Sequence, residues 1–131
     1  MGFANTKLEL SNPRRPELEP VLVDALADTR AIHLCIPESI RSRLALEGSE
    51  ERVITLADGS SRSVPYVGPV ELRLKGRRGF TGALVMGEQA LLGVVPMEDM
   101  DLVVIPKTRQ VVPNPASPDA AGSLALSPRP G

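Results

Sequence analysis

Polar and apolar residues alternate over short stretches along most of this chain, and a period of two predicts strands rather than helices. Residues 4–10 (ANTKLEL) open the pattern. Asn12-Pro13 and two further prolines between Ser11 and Pro20 then predict a turn or wide hairpin. The apolar-rich run 21–27 (VLVDALA) ends at Asp28. From Ala31 to Ile36 a further strand is predicted, with Ile32, Leu34 and Ile36 on one face and Ala31, His33 and Cys35 on the other.

The period changes at Pro37. Proline suits the first position of a helix, Glu38 suits the positive end of the helix dipole, and Ile40, Leu44 and Ala45-Leu46 make an apolar stripe. A helix of about 37–46 is predicted, ending before Gly48. Beyond it, Arg52–Leu56 and Ser60–Tyr66 flank Asp58-Gly59, a hairpin signal. Gly68-Pro69 predicts a break before the strand Val70–Lys75, and Gly76–Gly79 predicts a turn before Phe80–Met86. Ala90–Gly93, a short helix at about 96–100, and strands at Leu102–Ile105 and Gln110–Val112 complete the pattern. From Pro113 the sequence becomes rich in Pro, Ser, Ala and Gly without periodicity. The expectation is one all-β domain over residues 1–112, with about eight short strands and one clear helix, and a flexible tail over 113–131.

Composition narrows this picture. Aromatic residues make up only 2% of the 131, so the core must be built from Val, Leu, Ile and Ala. A thin aliphatic core in a small β domain is a reason to expect an oligomer. The net charge of −1 shows that acidic residues balance Arg14-Arg15 and Arg77-Arg78, and no aromatic stacking platform accompanies them. Nucleic-acid binding is therefore disfavoured, and both basic pairs read as solvated turn charges. Cys35 is the single cysteine, which excludes an intramolecular disulfide and reads as a small buried thiol. The sequence has no membrane-length apolar run and no leader-like start, so no membrane partner is expected and the cytoplasm is the simplest compartment.

The chemistry concentrates at Asp28-Thr29, a carboxylate at a strand end followed by a hydroxyl residue. Taken alone, such an Asp is more often a turn cap than a catalyst. His33 is the only histidine and has no motif-placed serine, so a Ser-His-Asp triad has no support. Glu98, Asp99 and Asp101 read as a solvated helix end rather than a metal site, and no metal or other cofactor is expected. Gly76–Gly82 lacks the lysine and spacing of a phosphate-binding loop.

Three segments in order carry a resemblance. DALADTRAIHLCIPESI, ITLADGSSRSVPYVGPVEL and FTGALVMGEQALLGVVPMEDMDLVVIPKTRQVVPNP are similar to the active-loop, flap and second-half regions of bacterial retropepsin-like aspartic proteases, the single-lobe relatives of the retroviral enzymes. The likeness runs from about residue 4 to 115. It implies a closed acid-protease barrel and an aspartic-type endopeptidase acting on peptide or protein substrates. It also implies a homodimer, because hydrolysis by this route uses two carboxylates about 3 Å apart that share a proton. This chain has one suitable motif, so the second carboxylate would be Asp28 of a second copy. By the same resemblance Asp28 is catalytic, and Thr29, Arg30 and Ala31 belong to the active loop, with Thr29 bonding across the dimer. Leu92 and Gly93 support that loop from behind, and Ala57, Asp58, Gly59 and Ser60 form the tip of a flap.

One position departs from the family. Arg30 stands where glycine is expected. Glycine lets backbone and substrate approach closely, whereas arginine brings bulk and a permanent charge that favours ionised Asp28. One reading is a catalytically impaired relative that keeps the fold as a binding or dimerisation module. Another is an active enzyme in which Arg30 points outward and acidic residues are favoured in the substrate. An isolated substitution in this copy is the third reading.

Overall fold

The computed structural model describes residues 3–122. Over these the chain forms nine strands and two short helices, in the order β1 (Phe3–Ser11), β2 (Val21–Asp28), β3 (Leu34–Ile36), α1 (Glu38–Arg43), β4 (Glu50–Thr55), β5 (Ser61–Leu74), β6 (Arg77–Val85), β7 (Ala90–Leu92), α2 (Val94–Asp99), β8 (Leu102–Ile105) and β9 (Gln110–Pro113). The fold is all-β, as its alternation predicts. The main sheet runs β1-β2-β7-β3-β6-β5-β4, and a further pairing of β1 with β5 closes six of these strands into a barrel. That closure uses the end of β1, where Glu9, Leu10 and Ser11 pair with Arg73, Leu72 and Glu71. Closing the ring removes edges that would otherwise be open to pairing. β8 and β9 form a separate two-stranded sheet.

The barrel is filled by aliphatic side chains. Leu8, Leu10, Leu34, Ile36, Leu72 and Leu92 are all fully buried, and Leu102 and Val111 extend the same core beneath the small sheet. Each fully buried leucine contributes about 1.5–3 kcal/mol of transfer free energy, which is how this chain builds a core without large rings. A smaller cluster of Cys35, Val64 and Leu84, joined by Ile54, Tyr66, Met86 and Leu91, seats the β4–β5 hairpin on the barrel wall. Cys35 is buried, and burial raises its thiol pKa.

Several local outcomes differ from the alternation reading. The predicted helix of about 37–46 stops at Arg43 because Ala45 takes a left-handed conformation (φ 50°), and the amide of Leu46 turns back onto the Arg41 carbonyl at 3.1 Å. The buried Asn12 amide supports this end by donating to the Leu44 carbonyl at 2.9 Å. The Gly68-Pro69 pair does not end a strand. β5 continues through it for 14 residues, absorbing it as a bulge between Val67 and Val70.

The predicted Gly76–Gly79 turn is also narrower. Lys75 (φ 47°) and Gly76 (φ 81°) form a two-residue hairpin loop, so β6 begins at Arg77. Arg77 itself is buried rather than solvated, donating to the Met100 carbonyl at 3.1 Å and the Asp101 carbonyl at 3.2 Å. The short helix predicted at about 96–100 spans Val94–Asp99.

The stretch beyond Pro113 holds ordered contacts as far as Gly122. Asp101 accepts hydrogen bonds from the Asn114 side chain at 3.0 Å, from the Ser117 hydroxyl and from the Gly122 amide at 2.9 Å. The remainder of the expected tail, 123–131, lies outside the described residues.

Candidate functional site

β2 is paired on both sides. It runs antiparallel to β1 along its whole length, with Phe3 opposite Asp28, and parallel to β7, with Ala25, Leu26 and Ala27 opposite Ala90, Leu91 and Leu92. Ala25 and Ala27 face the core, so the strand is firmly seated up to its last residue. Asp28 is that residue and is only 8% exposed, although it is a carboxylate. Charged groups are buried this far only when they are paired.

Its partner is Arg30. The Arg30 guanidinium donates from Nε to Oδ1 at 3.1 Å and from Nη2 to Oδ2 at 2.9 Å, so it engages both carboxylate oxygens. The Arg30 backbone amide adds a third bond to Oδ1 at 2.9 Å, and the Ala31 amide donates to the Asp28 carbonyl at 3.0 Å, tightening the turn. Hydrogen bonding by Arg30 holds the Asp28 carboxyl below its ordinary pKa, against the opposing influence of burial. The carboxylate in turn raises the Arg30 pKa. Arg30 does not point outward, and yet 62% of its side chain remains exposed.

The loop after Asp28 is held from behind. The predicted strand over Ala31–Ile36 is confined to Leu34–Ile36, because the Ala31 and Ile32 carbonyls are taken by the Val94 and Val95 amides at 2.8 and 3.0 Å. Of the three residues assigned to one face, Leu34 and Ile36 are fully buried whereas Ile32 is 57% exposed. Gly93 makes this approach possible. A Cβ there would lie 2.5 Å from the Ile32 carbonyl carbon and from the His33 carbonyl oxygen. Leu92, just before it, is fully buried. Asp28, Arg30, Ala31, Leu92 and Gly93 are thus brought together as one unit, and Thr29 lies exposed within the same loop.

The candidate flap residues form the exposed tip of the β4–β5 hairpin. Leu56 and Ser60 close it through a 2.8 Å backbone bond, Gly59 donates to the Leu56 carbonyl at 2.9 Å, and the Asp58 carboxylate accepts from the Ser60 amide at 2.9 Å. The hairpin's inner face packs through Val64 and Tyr66 on the cluster containing Leu91, the neighbour of Leu26 on β2. Tyr66 lies across Gly82, where a Cβ would fall 2.2 Å from the phenol, and under the Arg52 guanidinium at 4.0 Å.

Sequence patterning did not mark three neighbours of the site. Phe3 faces Asp28 in register, the Arg109 guanidinium stands over the Phe3 ring at 5.1 Å, and Val95 is 48% exposed beside Ile32. The alternation of β1 was a usable signal for Phe3, whereas Arg109 reaches the site only through tertiary structure. Among the described residues, no cluster of His, Cys, Asp and Glu is placed to hold a metal ion, and no helix is long and apolar enough to cross a membrane. Asp101 is instead engaged by Asn114, Ser117 and Gly122.

The barrel and the strand-end carboxylate define a class by architecture alone: a closed all-β domain with a buried Asp in a braced loop. No protein-family model matches the chain, and no curated protein matches it at a significant level.

Proposed function

We propose that this chain is a single-lobe aspartic endopeptidase of the retropepsin kind, with Asp28 as the acid/base group and its partner carboxylate supplied by Asp28 of a second copy. The observation that carries this reading is a buried carboxylate at the end of β2, in a loop braced by Gly93 and the amides of Val94 and Val95. Exposed Ile32 and Val95 beside that loop supply apolar surface on which a second copy can dock. In the assembled site, one ionised Asp28 accepts a proton from water as the water oxygen attacks the peptide carbonyl. The other, protonated, Asp28 donates to the carbonyl oxygen. Collapse of the resulting diol breaks the C–N bond, and the departing amine takes a proton. The hairpin tip Ala57–Ser60 is assigned to covering the extended substrate. The cytoplasm is the compartment proposed for this activity, in keeping with a chain that has one buried, free thiol.

Arg30 sets the condition on this chemistry. Two carboxylates can share one proton only while neither is claimed by a cation, and in this chain Asp28 is claimed by Arg30. The resting site is therefore held ionised and unproductive. A second reading follows from the same ion pair, in which the protein is a non-catalytic binding or dimerisation module. Incubation of wild type and Asp28→Asn with mixed peptides separates the two. Asp28-dependent cleavage by wild type supports the peptidase, and a wild type inert towards every peptide supports the binding module.

A further inference from the structure

The ion pair that closes the site also constrains what opens it. Arg30 keeps its charge at every physiological pH, and Asp28 titrates below the ordinary carboxylate range, so a modest change in pH does not part them. What remains is exchange of partners. The Arg30 side chain is 62% exposed, so an incoming anion can approach it while it still holds Asp28. Swapping one carboxylate for another preserves the charge-assisted bonds of Arg30, whereas a neutral ligand must strip them with nothing in return. Arg109, stacked on the Phe3 ring opposite Asp28, places a second cation on this side of the molecule and favours the approach of an anion.

We propose that Arg30 is a latch operated by an acidic peptide. A side-chain or terminal carboxylate of the bound peptide takes the guanidinium, and Asp28 is released to act on water. This rests on the peptidase reading above and adds a substrate class to it: peptides carrying Asp or Glu beside the scissile bond. Arg30 is then a specificity-determining residue, and its permanent charge suppresses hydrolysis of neutral peptides.

The test uses two peptide libraries with amidated ends, identical except that Asp and Glu in one are Asn and Gln in the other. They are offered to wild type and to Arg30→Gly. Wild type is expected to cleave the acidic library about tenfold faster than its amide counterpart, in keeping with one charge-assisted contact. Arg30→Gly is expected to cleave both at similar rates. Equal rates in wild type, or the same acidic preference in both proteins, overturn the latch while leaving the peptidase reading intact. No cleavage by either protein overturns that reading and the latch with it. A readout independent of turnover is the Arg30 Nε–H resonance, which should shift with the acidic library alone. A resonance unmoved by it also overturns the latch.

Discussion

Arg30 holds Asp28 by both carboxylate oxygens, with Nε 3.1 Å from Oδ1 and Nη2 2.9 Å from Oδ2. The two residues are separated by Thr29 alone, so the cation that engages the candidate acid lies only two positions further on. A glycine in place of Arg30 would remove both guanidinium bonds and keep the backbone amide at position 30 as a donor to the carboxylate. The contrast between those two states generates the first prediction.

In Arg30→Gly the Asp28 carboxyl should titrate at higher pH than in wild type, because its main charge-stabilising partner is gone while burial remains. The sign for stability follows. The folded pKa of Asp28 in wild type lies below the unfolded value, so the pair adds stability above the unfolded carboxylate pKa. That stability is lost as the pH falls through the folded value. Carboxyl carbon NMR over an acid titration checks the first point, and denaturation at two pH values checks the second. An Asp28 titration unchanged by the substitution would contradict the observed geometry.

Gly93→Ala should destabilise the protein by about 3 kcal/mol, since its new methyl would sit 2.5 Å from backbone atoms of Ile32 and His33 that cannot move without opening the loop after Asp28. Gly59→Ala is the control. That glycine has nothing within 4 Å and only its φ of +85° to protect, so about 1 kcal/mol is expected. Urea unfolding of the two variants should rank them in this order.

Leu92→Ala should cost about 2–5 kcal/mol, the range for truncating a fully buried leucine. Because Leu92 precedes Gly93, the loss should be accompanied by faster hydrogen exchange at the Val94 and Val95 amides that brace the loop. Unaltered exchange there would separate the core from the loop.

The Asp101 clasp should persist in acid. Hydrogen bonds from Ser117 and Asn114 bring the Asp101 pKa down to about 2, from an ordinary 3.8, so its contribution is present above 3.8 and fades as the pH falls towards about 2. Asp101→Asn should therefore expose residues 114–122 to limited proteolysis at neutral pH, whereas wild type should resist cleavage there down to about pH 4.

Much of this fold was legible because alternation reports directly on which face of a strand meets the core, as at Leu8 and Leu10 or at Leu72 and Leu74. Asp28 was legible for the same reason: it terminates an apolar run. The direction of Arg30 was not legible, because a rotamer choice between solvent and a neighbouring carboxylate leaves no periodic trace. The end of α1 was hidden because Ala45 adopts a conformation usually reserved for glycine and is supported by Asn12, far away in sequence. The Asp101 clasp was hidden in a segment whose composition matches a tail, since its bonds join single side chains to a distant turn.

The most direct test of the account is peptide hydrolysis by Arg30→Gly, measured between about pH 4 and pH 6, where a shared carboxylate pair carries one proton. The account predicts that this variant cleaves peptides and that adding Asp28→Asn abolishes the cleavage. An Arg30→Gly protein that folds and remains inert at every pH, or cleavage that survives Asp28→Asn, would contradict it.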